Sequence, residues 1–270
     1  MNLYRYFDSL ELTYLGAIAL LVCCLIMALV WLWSYKIKNA GVVDIFWSYN
    51  FPVIAILLFF LGSGYGPRRL LMASMVIIAG VRLGTHLAIR IFKHLRVEEP
   101  RYAQIRKEWG KNAEVKMFGF FMMQAASNVL LAIPFFIIAV NTNPQLSVIE
   151  YIGTGLWFIS VLGEAIADRQ LAAFKKNPAN KGEVCDTGLW GYSRHPNYFF
   201  EWLMWVSYFV FALASPNGYL AIISPAIILY LLLKVTGIPA TEEQSLRTKG
   251  EAFKQYQART SAFIPWFKKV

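Results

Sequence analysis

An all-α, polytopic membrane protein is what this sequence predicts, and three observations carry the prediction. Hydrophobic residues fill 57% of the 270 positions. Charged residues fill only 16%, against about a quarter in ordinary soluble domains. The apolar residues are also gathered into long runs, and crossing about 30 Å of hydrocarbon takes roughly 20 helical residues.

Seven such runs can be read: 12–33, 42–61, 70–91, 118–140, 148–167, 198–213 and 219–233. The last two are short, and Pro225 interrupts the seventh. The first run is long and lacks a small-residue cleavage pattern, so no cleavable signal is expected. The connections show no internal repeat and no low-complexity linker, so 1–270 is expected to form one domain. Its C-terminal part, about 240–258, reads as an amphipathic segment: Pro239 breaks the seventh run, Thr241 is a candidate N-cap, and Leu246, Phe253 and Tyr256 mark one face. By itself that segment suits an interfacial helix.

The net charge of +10 does not indicate nucleic acid, because of where the charge lies. The connections after runs one, three, five and seven carry 2, 7, 5 and 7 Lys or Arg, 21 in all, while the other side has only Arg5, Arg68 and Arg69. Lys and Arg in short loops stay cytoplasmic, so the N-terminus is expected outside and the C-terminus in the cytoplasm. Either a bacterial inner membrane or an endoplasmic reticulum membrane fits that asymmetry. Three cysteines and three histidines offer no disulfide framework and no metal-ligand spacing, so no metal is expected.

Polar residues inside or beside these runs are the functional candidates, since ionisable groups in a bilayer are costly and usually face a protein-lined cavity. Run two opens GVVDIFWSYN, where Asp44 is either a site carboxylate or a first-turn acid favoured by the helix dipole. Run three carries Arg82, His86 and Arg90 at fourfold spacing, with His94 a turn further. That stripe is expected to line a bundle interior, and the intrinsic pKa of the histidine side chain suits general acid work. Run five ends with Glu164 and Asp168 one turn apart and Lys175 two turns on. Carboxylates there suit the hydroxyl and amino groups of a nucleotide, and Lys175, Lys176 and Lys181 suit phosphate. A solvated helix extension with ordinary ion pairs is the plainer alternative. GLWGYSRHPNYFFEW, 188–202, sets Arg194, His195, Asn197 and Glu201 at the mouth of run six, with Asn197 and Glu201 on one helical face. No Gly-rich phosphate loop is present, so any nucleotide site must be built from helix ends and loops.

Together these motifs, with Pro100-Arg101-Tyr102 and the GIP…EE…L…Y…FIPW tail, resemble the steroid 5-alpha-reductase family, in particular its bacterial branch, over roughly 41–266. The resemblance implies a membrane reductase that uses NADPH from the cytoplasmic side to reduce a carbon–carbon double bond conjugated to a ketone, acting as a monomer on a lipophilic substrate within membrane lipid. It implies that Asn197 and Glu201 sit at the nicotinamide end of the cofactor and that Asp168 contacts adenosine. Glu164 stands where relatives often have asparagine, and Lys175 where they have arginine. Tyr192, Arg194, His195 and Tyr198 would contact the cofactor, and Glu243, Arg247 and Tyr256 would close over it. Characterised members use a glutamate and a tyrosine near the substrate carbonyl. Here the expected pair is His86 as donor with Asp44 in support, so steroid specificity does not carry over and another lipophilic enone is equally acceptable. The same Arg-His-Pro-x-Tyr and Glu-Glu motifs also occur in S-adenosylmethionine-dependent isoprenylcysteine and phospholipid methyltransferases, which is the alternative.

Overall fold

The computed structural model describes residues 3–268. It is 80% helical, and no strand occurs among the described residues. The chain divides into two compact units: Met1–Leu146 with Ser215–Leu220, and Ser147–Ala214 with Ala221–Val270.

The first unit holds α1 (Leu3–Ile37), α2 (Val42–Leu61), α3 (Gly66–Phe92), α4 (Pro100–Trp109), α5 (Ala113–Leu131) and α6 (Ile133–Ala139). Small residues bring α3 against α2. A methyl group on Gly80 would lie 2.5 Å from the Pro52 ring, and one on Gly84 would lie 2.7 Å from the Tyr49 ring. Pro52 has no amide proton for the Ser48 carbonyl, and it is beside this oxygen that Gly80 passes. Buried amides fasten α2 to α5: Asn50 Nδ2 donates to Asn128 Oδ1 and Asn128 Nδ2 to the Trp47 carbonyl, both at 2.9 Å. Such bonds are required of polar groups in an apolar interior.

The second unit holds α7 (Val148–Lys176), α8 (Pro196–Ala212), α9 (Ile223–Tyr230), α10 (Ile238–Lys249) and α11 (Glu251–Arg259), with a π-helical turn at Leu231–Val235. Its main contact is the antiparallel pair α7–α8. Gly153 faces Phe211, Trp157 Nε1 donates to Tyr208 Oη at 3.2 Å, and Gly163 faces the Phe200 ring. Each step forward on α7 meets an equal step back on α8. A methyl on Gly163 would lie 2.4 Å from the Phe200 ring, so only glycine allows this approach.

All seven expected runs are helical, and by length and composition not every one qualifies as a span. Five helices are long and apolar enough to cross a membrane, or six if the bent pair Pro100–Leu131 and Ile133–Ala139 is one span. Run four is broken there by 46°, because Pro134 removes a donor from the helical ladder. Run six forms α8, whose 17 residues fall short of the roughly 20 that a perpendicular crossing takes. Leu21, Leu25, Leu29 and Leu32 on α1, and Ile152, Ile159, Leu162 and Ile166 on α7, remain exposed. Apolar stripes of this kind mark contact with membrane or protein rather than water. The chain thus has the helix lengths and apolar surface of a multi-pass integral membrane protein.

Candidate functional site

The facing surfaces of α7 and α8 carry a polar cluster at their basic end. Asn197 Nδ2 lies 3.4 Å from Asp168 Oδ1, a long hydrogen bond between the two helices. The antiparallel register sets Glu164, only 5% exposed, level with Phe200 and Glu201. Glu201 Oε1 accepts from Trp205 Nε1 at 3.1 Å. Glu164 and Glu201 each keep one carboxylate oxygen shielded from solvent. Three carboxylates and one amide therefore converge within a few turns. Among the described residues they do not form a group of three or more ligands suited to a metal ion.

The loop preceding α8 is clamped to the C-terminal segment. Arg194 Nε donates to Glu242 Oε1 at 2.7 Å, and its Nη1 donates to the Thr260 and Gln257 carbonyls at 2.6 and 3.0 Å. His195 Nε2 lies 3.2 Å from the same Glu242 oxygen, while Gln257 Nε2 donates to Glu242 Oε2 at 2.8 Å. The His195 ring stacks on Tyr198, whose hydroxyl lies 3.2 Å from Thr241 Oγ1. Tyr256 Oη donates to the Trp190 and Ser193 carbonyls. Burial pushes this phenol well above its ordinary range, which keeps it a donor. Trp190 Nε1 in turn donates to the Ala167 carbonyl on α7 at 2.9 Å. α7, the loop and the tail thus form one hydrogen-bonded assembly.

The residues expected to contact a cofactor fall into two groups, one bonded inward and one exposed. Arg194, His195 and Tyr256 direct the polar atoms named above into the chain's own carboxylate and carbonyls, so they hold the loop in place. Glu243 and Arg247 are exposed and pair with each other one turn apart on α10. The inward acid of the Glu-Glu doublet is Glu242. Tyr192 is exposed, its ring against Phe267. Lys175 is exposed at the end of α7, beside a cavity shared with residues 174–183 and Lys249.

In the first unit, Asp44 sits in a network that sequence spacing did not reveal. Tyr102 Oη donates to Asp44 Oδ1 at 2.7 Å, and Arg101 Nη2 donates to Asp44 Oδ2 at 2.9 Å. Tyr102 is 1% exposed, and the Arg101 guanidinium lies over its ring at 4.5 Å. The triplet Pro100-Arg101-Tyr102 was visible as a motif, but its partner lies 58 residues away in the chain. His86 does not join Asp44. Gly80 and Gly84 give α3 its α2-facing side, and a residue two beyond Gly84 points about 200° around the helix from it. His86, Arg90 and His94 are accordingly exposed rather than lining an interior, and Arg90 pairs with Glu99 at 3.3 Å.

A family model described as "Protein of unknown function (DUF1295)" matches residues 30–260. No curated protein and no solved structure matches the chain.

Proposed function

The chain belongs to the DUF1295 family, which is associated with steroid 5-alpha-reductase-like proteins, and from that membership and the polar face of α7 and α8 we propose a membrane-embedded, NADPH-dependent reductase of lipophilic enones. The observation that carries the reading is the convergence of Glu164, Asp168, Asn197 and Glu201. A nicotinamide carboxamide offers both donors and an acceptor, and the amide of Asn197 with the carboxylate of Glu201 complements both. Asp168, farther along α7, suits the hydroxyl and amino donors of an adenosine. Carboxylates partly shielded from water favour ligands that bring hydrogen-bond donors to them.

When bound, NADPH supplies the hydride. The chain's own residues bind and orient the cofactor and supply a proton donor. Reduction of a conjugated double bond leaves negative charge on the ketone oxygen, and a fixed donor aimed at that oxygen lowers the barrier. Within the first unit, Tyr102 is the proposed donor: its side chain is buried, its hydroxyl receives a hydrogen bond from Arg101 at 2.5 Å, and on substrate binding it would turn the proton now given to Asp44 Oδ1 toward the ketone oxygen. His86, the donor expected from the sequence, stands on the exposed side of α3. The charge asymmetry between connections supports cytoplasmic access for the cofactor, an external N-terminus and a cytoplasmic C-terminus. Seven crossings follow if α8 tilts little or the bilayer thins around it.

Binding in detergent tests the cofactor reading. Glu201→Ala is expected to weaken NADPH affinity by about 10- to 100-fold, the loss of hydrogen bonds to a charged group. Glu201→Gln, which keeps an acceptor for Trp205, should fall between. Equal affinity in all three proteins removes Glu201 from the site.

A further inference from the structure

The stretch that follows α11 has no part in the reaction described, and it turns large apolar side chains outward where the helices before it do not. Spacing alone makes 240–258 the interfacial element. Its aromatic side chains instead lie inside the protein, Phe253 and Tyr256 being 5% and 2% exposed. What α10 and α11 expose includes Glu243, Arg247, Glu251 and Lys254. Beyond them, Trp266 and Phe267 are 67% and 75% exposed, and Ile264 and, from the loop before α8, Tyr192 are exposed with them. The Phe267 ring lies 6.2 Å from that of Tyr192 and 6.3 Å from that of Trp266.

These groups are held in place by the loop before α8. The Arg194 amide donates to the Ser261 carbonyl at 2.8 Å, the Trp266 amide to the Tyr192 carbonyl at 2.9 Å, and Ser193 Oγ to the Phe263 carbonyl at 2.7 Å. Phe263 turns inward, its ring 5.7 Å from that of Phe199 and 5.8 Å from that of Trp202 on α8. The exposed rings therefore stand beside the first two turns of α8, where run six begins. Their exposure is built into the fold. Clustered apolar groups that a fixed structure leaves uncovered mark a contact surface.

Three features point to lipid as the partner. Trp and Tyr concentrate at the membrane–water boundary, where an apolar ring and a polar tip meet both phases. Arg259 and Lys268 share one acid, Asp186, at 2.6 and 3.6 Å, so cations outnumber the acid at this border and suit the negative surface of a membrane. Irregular backbone cannot satisfy its polar groups against hydrocarbon, so the segment belongs at headgroup depth. We propose that Tyr192, Ile264, Trp266 and Phe267 form an anchor that dips into the headgroup region of the leaflet at the basic end of α8. The anchor sets the level at which α8 enters the bilayer and props the loop that carries Arg194 and His195. It does not depend on the reductase reading.

The test is nitroxide labelling of the full chain in bilayers of phosphatidylcholine and phosphatidylglycerol, in a Cys23→Ala/Cys24→Ala/Cys185→Ala background. Labels at Ile264→Cys and Phe267→Cys are compared with one at Leu162→Cys, on the exposed apolar stripe of α7, and one at Glu243→Cys, on the polar side of α10. Relaxation by oxygen, which concentrates in lipid, is measured against relaxation by a water-soluble nickel chelate. The oxygen-to-nickel ratio at both tail positions should exceed that of the Glu243→Cys label and fall below that of the Leu162→Cys label. A ratio equal to that of the Glu243→Cys label places the cluster in water and overturns the proposal. Protection from both reagents, with dipolar broadening between labels, makes a second copy of the chain the occupant and overturns it as well. The native chain gives an independent reading. Bromine on lipid acyl chains close to the headgroup should quench the tryptophan emission that Trp266→Phe removes, and emission indifferent to bromine rejects the anchor.

Discussion

Tyr102→Phe is expected to lower kcat for enone reduction by about 10²–10³-fold, the range seen when a single donor to a developing oxyanion is removed, while leaving NADPH affinity unchanged. The hydroxyl is the only group deleted, and Asp44 keeps its contact with Arg101. The melting temperature should therefore fall modestly, as for the two hydrogen bonds this hydroxyl makes, each of about 1 kcal/mol. Asp44→Asn keeps the shape of the network while removing its charge, so it should reduce kcat less than Tyr102→Phe. His86→Ala, on the outward side of α3, should leave turnover intact. Normal turnover by Tyr102→Phe, or loss of turnover by His86→Ala alone, would reverse the assignment.

Glu242→Ala is expected to destabilise the protein by about 3–5 kcal/mol, because it leaves a largely buried guanidinium without its carboxylate. Side chains of Arg194 and Glu242 are 11% and 14% exposed. One oxygen of Glu242 receives Arg194 and meets His195, and the other receives Gln257, so the loss unpins the loop before α8 from the helices after it. Glu243→Ala, one position on, is the control. Its partner Arg247 is exposed, and exposed pairs one turn apart contribute little. Unfolding in detergent should separate the two variants clearly. Equal stability of Glu242→Ala and Glu243→Ala would mean that the clamp does not hold the loop.

The contrast between these two glutamates shows where sequence reading stops. A Glu-Glu doublet announces an acid at the start of α10, but which of the two turns inward depends on the phase of a helix that Pro239 starts. Asp168 and Asn197 were legible because each lies on a long helix with fourfold polar spacing and α7 and α8 pack antiparallel. Asp44–Tyr102 was not, since its two halves come from separate helices and neither motif names the other. The stripe of Arg82, His86 and Arg90 was real in spacing, but His86 and Arg90 are exposed while Arg82 is half-buried. Gly80-x-x-x-Gly84 on the same helix marks the side that packs on α2, and close backbone approach outweighs charge periodicity in choosing that side. Apolar runs located every long helix, yet a continuous run concealed the bend at Pro134, because hydrophobicity persists through a proline that hydrogen bonding does not.

The proposed chemistry stands on the carboxylate-and-amide face of α7 and α8 receiving a reduced nicotinamide cofactor. Incubating purified protein with NADPH and a panel of lipophilic enones, while following the absorbance of the reduced nicotinamide, measures this directly. The account predicts NADPH oxidation that requires an enone and is lost in Glu201→Ala. Thermal stabilisation by S-adenosylmethionine but not by NADPH, with no oxidation by any enone, would contradict it.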